Sequence, residues 1–400
     1  MKTNRRLLAA AIALASGAAL ASMGAAQELR IGFINTTTGG GAAIGKPLEN
    51  GFRLGLKAGG WTKDGDKFSG IVARIFFSDD QVKPDVGLRE AEKLVKQDDV
   101  HIVAGIIWGN VFNAAARVVL DNKRLLIGGV SGQAQFAGEN CNPLFVSASH
   151  QNDQIAEATG EVLTRRGVKR VVALAPNYQA GKEFLDAFER TYKGGAIAER
   201  LIFKLGESDF QAEISKIRAL KPEAIVVFAP GAMGIAFFRQ WQTSGLRQDV
   251  KAFSFYTIDE SNLPAIGEAA LGAFDTNNWT PELDNAVNRQ FVKDHVAAYN
   301  SMPAIYTVYG YDVAAAIAAG LKHTNGKFDD AAALARAIRK NGFESPRGTM
   351  KYGPNGFLIQ AYYLREVARG ADGKLAIISR ETISSKPDSF WEKCPADRRI

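Results

Sequence analysis

Short apolar runs alternate with helical patterns along most of this 400-residue chain. Leu29–Asn35 is an apolar run typical of a buried strand, and the segment Gly45–Ala58 then places Leu48, Phe52 and Leu56 at helical spacing. Strands that alternate with amphipathic helices indicate βαβ units and therefore parallel sheets. The pattern predicts an α/β fold.

The alternation runs through two consecutive sets. The first set continues with predicted elements at Ile71–Ser78, Pro84–Gln97, His101–Ile106, Asn110–Asp121 and Leu125–Val130. The second set predicts elements at Asp153–Arg166, Arg170–Ala175, Gly181–Tyr192, Ile197–Phe203, Phe210–Leu220, Ala224–Ala229, Met233–Ser244 and Lys251–Tyr256. A single hydrophobic core rarely exceeds about 250–300 residues. Two sets therefore predict two doubly wound parallel-sheet lobes.

The last third of the chain has a different pattern. It predicts helices and then strands at Asp284–Asn300, Thr307–His323, Asp329–Lys340, Phe357–Ala368 and Leu375–Ile383. Because this part lacks its own βαβ series, we expect it to complete both lobes, with several chain crossovers forming a hinge. The expected division is residues 27–146 with 280–350 in the first lobe, 147–279 with 351–385 in the second, and 386–400 as a C-terminal tail.

The N-terminus has the features of an export signal. Residues 1–26 contain no acidic residue, and basic residues precede an apolar run that begins at Leu7 and leads to small residues ending at Ala26. This is typical of a cleavable signal peptide, with cleavage between Ala26 and Gln27. The alternative is an uncleaved anchor, but a span needs about 20 apolar residues and Ser16 interrupts the run. We expect a periplasmic monomer without stable membrane insertion.

Composition excludes several classes of function. The 49 basic and 42 acidic residues are scattered, whereas a nucleic-acid-binding protein needs a basic stripe on one face. The four histidines, His101, His150, His295 and His323, are too far apart for ligand spacing, so we expect no metal site and no cofactor. Two cysteines, Cys141 and Cys394, either pair, as an exported protein permits, or remain free thiols.

Two motifs resemble catalytic signatures and fail in detail. Gly40 to Lys46 has P-loop spacing, but Pro47 stands where a P-loop needs Ser or Thr. What remains is a Gly/Thr loop before a helix, whose backbone N–H groups could hold an anion. Ser131 has the surroundings of a nucleophile elbow, but Gln133 replaces the final Gly. The sequence therefore predicts a protein that is not an enzyme, the rival being a secreted hydrolase or oxidoreductase.

Ligands of open α/β sheets bind at the carboxyl ends of the strands. In this chain those ends carry small residues, few charges and the aromatic residues Trp108, Tyr178 and Tyr256. The segments are Thr36–Gly41, Ile107–Asn110, Val130–Gln133, Pro176–Gln179, Pro230–Gly231 and Tyr256–Asp259. They predict a cleft for a small organic molecule between the lobes, with Thr38 in the first loop among its contacts.

The chain resembles the leucine/isoleucine/valine type of periplasmic solute-binding protein, which serves ABC importers. The resemblance spans residues 28–385. It rests on Leu29–Gly45, Ser78–Asp80, Ile102–Gly105, Asp209–Phe210, Pro303 and Gly310–Asp312. It implies a type I periplasmic binding protein fold with a multi-crossover hinge. It also implies a substrate-binding protein without enzymatic activity, which closes two lobes over its ligand and delivers it to a membrane permease.

The resemblance also implies ligand contacts. They fall at Trp108, Gly109, Asn110, Val130, Gly132, Tyr178, Tyr256 and Tyr306. Tyr256 stands about where amino-acid binders carry the acid that receives an α-ammonium, although Asp259 and Glu260 lie close. Because a desolvated ammonium without a carboxylate is costly, an amino acid is disfavoured. The loop Trp108–Asn110 resembles that of family members that bind aromatic carboxylates, and this resemblance makes an aromatic carboxylate the favoured ligand. Backbone N–H groups would hold its carboxylate, and Trp108, Tyr178 and Tyr256 would sandwich its ring. The alternatives are a binder of branched-chain amino acids or amides, and a ligand-sensing module of a receptor system.

Overall fold

The computed structural model describes residues 27–383 and 386–399. The predicted signal peptide, residues 1–26, lies outside the described residues. Within the described part of the chain, no helix has the length and apolar character that a membrane span requires.

The first lobe is built on a six-stranded sheet. Its strands are β1 (Leu29–Asn35), β2 (Lys67–Phe68), β3 (Ile71–Asp79), β4 (Ile102–Gly105), β5 (Leu125–Gly128) and β6 (Phe145–Ser147). The helices between these strands are α1 (Ala42–Ala58), α2 (Pro84–Lys96), α3 (Gly109–Asp121) and α4 (Ala134–Ala137). The strand order is β2-β3-β1-β4-β5-β6. All neighbouring pairs are parallel except β2 with β3. This is the predicted doubly wound arrangement.

The second lobe begins at the first crossover of the chain. Its elements, in chain order, are α5 (Asn152–Arg165), β7 (Arg170–Pro176), α6 (Gln179–Thr191), β8 (Ala196–Phe203), α7 (Gln211–Leu220), β9 (Ala224–Val227), α8 (Ala232–Thr243), β10 (Lys251–Phe255), α9 (Leu263–Ile266) and β11 (Phe274–Asn277). Strands β7 to β11 are joined in parallel, in the order β8-β7-β9-β10-β11.

The remaining elements are shared between the lobes. They are α10 (Ala286–Tyr299), α11 (Ile305–His323), α12 (Ala331–Asn341), β12 (Phe343–Ser345), β13 (Gly348–Tyr352), β14 (Leu358–Ile359), β15 (Tyr362–Arg369) and β16 (Leu375–Ile383). Strands β12 to β14 form a small antiparallel sheet, and α11 packs on α1 of the first lobe. Strands β15 and β16 extend the second sheet as antiparallel neighbours of β11.

Helices α1 and α11 approach until their backbones touch, and glycines make this possible. A Cβ atom on Gly51 would lie 1.8 Å from the Thr307 carbonyl oxygen, and one on Gly310 would lie 1.9 Å from the Leu48 carbonyl oxygen. Each helix therefore presents a glycine to the backbone of the other. The close crossing fixes the position of α11, whose first turns carry Tyr306 and Tyr309.

The chain crosses between the lobes three times, and a hydrogen-bond network joins the crossings. Gln360, in the third crossing, donates from Nε2 to the Ser149 carbonyl oxygen in the first (2.9 Å) and accepts at Oε1 from Asn278 Nδ2 in the second (2.8 Å). The buried Arg347 donates to the carbonyl oxygens of Ala148 and Ser149. Its guanidinium also pairs with the buried carboxylate of Asp312, at 2.7 Å.

The C-terminal tail contacts both lobes. Ser389 donates to Glu157 of the second lobe at 2.6 Å, and Asp388 accepts from Asn355 of the first lobe at 2.9 Å. Cys394 forms a disulfide with Cys141, which follows α4. The tail is therefore tied covalently to the first lobe after running along the second.

Two predictions about elements differ from the structure. The predicted strand Phe357–Ala368 is wrong as a single element, because β14 ends before Gln360, the chain crosses between the lobes, and β15 then begins. Strand β14 pairs with β13 and so lies with the first lobe, although its residues fall in the range expected for the second. The strands β2, β6, β11, β12 and β13 were not predicted. They are short, and none of them continues into a longer apolar run as the four-residue strands β4, β5 and β9 do.

Candidate functional site

A cavity lies between the lobes at the carboxyl ends of their strands. Its empty volume is about 450 Å³, including the part that opens to solvent, within the range of small-molecule sites. Its walls are formed by Ile44, Ile107, Trp108, Gly109, Val130, Ser131, His150, Asn152, Tyr178, Ala180, Phe184, Phe228, Pro230, Tyr256 and Tyr306. None of these side chains carries a formal charge at neutral pH, and most are apolar or aromatic.

The first lobe contributes Trp108 at the beginning of α3. The indole Nε1–H donates to the hydroxyl of Thr36 at 3.0 Å, and that hydroxyl donates to Asp80. Burial raises the pKa of Asp80 to about 6, although hydrogen bonds from Thr36 and from the amide of Val82 act in the opposite direction. This chain of hydrogen bonds fixes the indole plane against the cavity and leaves the indole N–H without capacity for a ligand.

Helix N-termini from both lobes reach the cavity. Trp108 is the N-cap of α3 and Tyr178 is the N-cap of α6. Gly109, the first residue of α3, and Ala180, the second residue of α6, line the wall. The first amide N–H groups of a helix have no partner within the helix, and the helix dipole adds positive potential there. The cavity therefore offers backbone donors to an anion although no cationic side chain lines it.

The second lobe contributes most of the aromatic surface. Tyr178 stacks near Phe228, with ring centroids 6.3 Å apart, and Phe184 packs against Phe228 at 4.4 Å and Tyr256 at 6.3 Å. The rings of Trp108 and Tyr178 meet across the cleft with centroids 6.2 Å apart and planes tilted by 58°. This is the distance of direct aromatic contact. The expected sandwich of a ligand ring between Trp108 and Tyr178 is therefore absent from this arrangement, and a ligand ring would lie beside the pair.

Backbone strain marks one residue on each side of the cleft. Ile106 has a φ of +35° directly after β4, and Tyr256 has a φ of +49° directly after β10. Left-handed backbone is costly for a β-branched or bulky residue, and such residues cluster at ligand sites. At Tyr256 this conformation turns the ring toward the cavity.

The tyrosine hydroxyls form a directed chain away from the cavity. Tyr309 Oη donates to Asn278 Oδ1 at 2.8 Å, and the hydroxyls of Tyr256 and Tyr309 lie 2.8 Å apart. Since Tyr309 uses its proton on Asn278, Tyr256 must be the donor to Tyr309. Tyr306 Oη lies 3.4 Å from the Tyr256 carbonyl oxygen and donates to it. Through Asn278 the cavity wall is connected to Gln360 in the hinge.

His150 lies in the first crossing and lines the cavity. Its side chain is 2% exposed, and its ring packs on Tyr256 and Tyr309 with centroids 4.7 and 5.4 Å apart. Burial and the nearby Arg347 charge lower the pKa of His150 to about 3, although Asn152 acts in the opposite direction. His150 is therefore a neutral imidazole at physiological pH.

Carboxylates near the cavity are engaged elsewhere. Asp259 caps the turn formed by Ser261 and Asn262, with an oxygen 2.8 Å from the Ser261 amide nitrogen. Glu260 pairs with the buried Arg365 at 2.8 Å. Neither residue lines the cavity. Among the residues that the structure describes, no group of three or more His, Cys, Asp or Glu side chains is placed to hold a metal ion.

The cleft is narrow because the lobes meet at its edge. Asn113 of α3 donates to Gln179 of α6, and a Cβ on Gly231 would lie 3.5 Å from the Ile44 side chain. Gln179 in turn donates to Glu183, at 2.9 Å. The contacts of Asn113 with Gln179 and of Gly231 with Ile44 join the two lobes and would break on opening.

The structure places the predicted contacts in two groups. Those on the cavity wall are Trp108, Gly109, Val130, Tyr178, Tyr256 and Tyr306. Outside the wall lie Thr38, Asn110 and Gly132. Thr38 is exposed and donates to Asp79 at 2.6 Å, whereas the Gly132 amide donates to Asn152 Oδ1 at 3.2 Å. Asn110 is half-buried in the first turn of α3.

Sequence reasoning missed His150, Asn152, Phe184 and Phe228 on the wall. His150 and Asn152 follow the three-residue strand β6, which was too short to predict, so no strand end pointed to them. Phe228 directly follows β9, but the predicted strand Ala224–Ala229 runs past it, so the strand-end rule did not select it. Phe184 lies inside α6, where an apolar residue carries no signal beyond core packing.

Comparison with known proteins identifies the family. A model described as periplasmic binding protein matches residues 28–374. The chain therefore belongs to the periplasmic binding protein family. A Leu/Ile/Val-binding protein homolog 6 of Brucella melitensis is 26% identical over 370 residues, covering 90% of this chain and 93% of the relative. A leucine-, isoleucine-, valine-, threonine- and alanine-binding protein of Pseudomonas aeruginosa is also 26% identical, covering 89% and 94%.

Solved structures share the whole architecture. A solute-binding protein of an ABC transporter from Rhodopseudomonas palustris BisB5, in complex with 3,4-dihydroxybenzoic acid, is 28% identical with a TM-score of 0.82, covering 90% of this chain and 98% of that one. A solute-binding protein from R. palustris in complex with benzoate is 24% identical with a TM-score of 0.84, covering 91% and 99%. At 24% identity, the similarity to the benzoate complex shows the fold alone.

Proposed function

We propose that this member of the periplasmic binding protein family is the solute-binding component of an ABC importer and that its ligand is an aromatic carboxylate. The observation that carries the proposal is the cavity wall: six aromatic residues and one neutral histidine surround a space without charged side chains, and two helix N-termini reach it. A ligand matched to this wall has a flat apolar body and one anionic end.

The anionic end fits the beginning of α3. Amide groups at Gly109 and the next two residues have no acceptor within the helix, and a carboxylate there would gain charge-assisted hydrogen bonds and the favourable end of the dipole. Ala180, at the beginning of α6, brings a second set of amides from the other lobe. A carboxylate held by both would stabilise the closed form.

The aromatic body fits the second lobe. Phe184, Phe228 and Tyr256 offer ring surfaces, and Val130 of the first lobe is part of the opposite wall. Burying apolar surface contributes about 25 cal/mol per Å², and ring–ring contacts add about 0.5–1.5 kcal/mol. The relative that binds 3,4-dihydroxybenzoic acid, at 28% identity, supports the same class of ligand.

An amino acid fits this wall less well. Its ammonium would enter a desolvated cavity whose wall has no carboxylate, because Asp259 and Glu260 are bonded elsewhere. An unpaired buried cation is costly. The curated relatives named for branched-chain amino acids make leucine the necessary comparison.

We also propose how the protein is exported, closes its two lobes over the ligand and meets its permease. Residues 1–26 would direct export and be removed after Ala26. The first lobe would comprise residues 27–146 and 280–359, and the second 147–279 and 360–383. A monomer without catalytic activity would close these lobes over the ligand and present the closed form to a permease, with the first-lobe helices around residues 284–340 and the lobe tips as the docking face.

Calorimetric titration of the mature chain tests the proposal. We expect one molecule of benzoate or a hydroxybenzoate to bind per chain, unchanged on recovery, and leucine to bind at least tenfold more weakly. Val130→Asp places a carboxylate on the wall and should weaken binding of the aromatic acid by more than a hundredfold. The matched control is Val130→Asn, whose amide has the shape of the Asp carboxylate but no charge, and it should retain most of the binding. Tighter binding of leucine than of every aromatic acid would reject the proposal, and turnover would reject the non-enzymatic part.

A further inference from the structure

Most side-chain donors around the cavity are already used. The Trp108 indole donates to Thr36, Tyr256 to Tyr309, and the Ser131 hydroxyl to the Ile107 carbonyl oxygen at 2.9 Å. A hydrogen-bonding substituent on the ligand ring must therefore find a partner among the few groups that remain.

His150 is such a group. Its Nδ1 atom is buried and makes no hydrogen bond of normal geometry within the described part of the chain, although the Asn152 side chain lies close enough to favour the protonated ring. An unpaired buried polar atom costs free energy, and its persistence on a ligand-facing wall suggests that the ligand supplies the partner. A neutral imidazole has one nitrogen that donates and one that accepts, so it can accept from a hydroxyl without attracting the ligand carboxylate.

The surroundings hold the imidazole in place. Its ring contacts Tyr256 and Tyr309, and its backbone lies in the crossing that Arg347 and Gln360 bind through the Ser149 carbonyl oxygen. The imidazole therefore occupies a fixed position where the lobes join.

We infer that His150 determines specificity for a ring hydroxyl, so that the ligand is a hydroxy-substituted aromatic acid whose phenolic O–H donates to Nδ1. This inference rests on the proposed function and names the ligand more closely. A site built to bond a hydroxyl discriminates against an analogue that lacks it, because the site's own polar atom then stays unpaired.

The test is a titration of the mature chain with benzoate, with the 2-, 3- and 4-hydroxybenzoates and with the corresponding methoxybenzoates, which have no hydroxyl to donate. We expect at least one hydroxybenzoate to bind ten- to a hundredfold more tightly than benzoate and than its methyl ether. In His150→Phe the ratio of the hydroxybenzoate affinity to the benzoate affinity should fall to about 1, whatever the substitution does to benzoate binding itself. The exposed His323 serves as control, and His323→Phe should change nothing.

A second measurement avoids dependence on the variant. In ¹⁵N-histidine-labelled wild-type protein, the His150 imidazole resonances should shift on adding the preferred hydroxybenzoate and shift less on adding benzoate. If a folded His150→Phe variant keeps the hydroxyl preference, or if both ligands shift the resonances equally, the role of His150 is wrong while the proposed function stands. Failure of every aromatic acid to bind would reject the proposed function as well.

Discussion

The contact between α1 and α11 gives the sharpest prediction about stability. We consider Gly310→Ala, because the new methyl group would lie 1.9 Å from the Leu48 carbonyl oxygen and 2.7 Å from the Phe52 amide nitrogen. Both atoms belong to backbone inside a helix and cannot rotate away. To restore ordinary contact at 3.4 Å, the two helices would have to separate by roughly 1.5 Å.

Two effects of this substitution oppose each other. Alanine is about 1 kcal/mol better than glycine in a helix interior, whereas overpacking a rigid contact costs about 1–3 kcal/mol or more. With backbone on the other side we expect the steric cost to win, and the free energy of unfolding to fall by about 2 kcal/mol. Because α11 carries Tyr306 and Tyr309, affinity for the ligand should fall with it.

Urea unfolding and ligand titration measure both effects. The control is Gly40→Ala, where a Cβ would meet no atom within 4 Å and the unfolding free energy should stay within about 0.5 kcal/mol of the original. A Gly310→Ala protein as stable as wild type would show that the helices are farther apart than described, and would refute the steric argument.

Two further predictions concern pH and the disulfide. The folded pKa of His150 is about 3, below the ordinary value of about 6.5, so the stability that neutral His150 contributes is present above pH 6.5 and lost as pH falls toward 3. From pH 7 to 5, wild type should lose about 2 kcal/mol of unfolding free energy relative to His150→Phe. Urea unfolding of both proteins at the two pH values measures this. If the difference in unfolding free energy between the two proteins is the same at pH 7 and pH 5, the burial of His150 is contradicted. The bond between Cys141 and Cys394 spans 253 positions, and Cys394→Ser should lower the unfolding free energy by about 2–5 kcal/mol. An unchanged thermal transition would show that the disulfide adds nothing to stability.

The sequence predicted the sheets well because each βαβ unit carries its own period. Leu29–Asn35 and Leu375–Ile383 have the predicted bounds, and most other elements begin or end within a few residues of them. The break at Gln360 was missed because apolar residues continue on both sides of it. A crossing between lobes is set by tertiary contacts with Ser149 and Asn278, which leave no local pattern.

The site was predicted to the extent that it follows the ends of strands. Trp108, Tyr178 and Tyr256 were found because aromatic residues within a few positions of a strand end are visible in the sequence. His150 was not found, because in the sequence a single histidine after a three-residue strand looks like any other histidine. What distinguishes it is its burial and its unpaired ring nitrogen, which only the structure shows. Thr38 has the right residue type and loop, but its hydroxyl is bonded to Asp79 away from the cavity.

The most direct test of the account is a crystal structure of the mature chain grown with a hydroxybenzoate. We predict that the carboxylate lies within hydrogen-bond distance of the amides at the beginning of α3, with the ring against Phe184, Phe228 and Tyr256 and the two lobes closed. A ligand bound outside the cleft, or one whose carboxylate is far from both α3 and α6, would contradict the account.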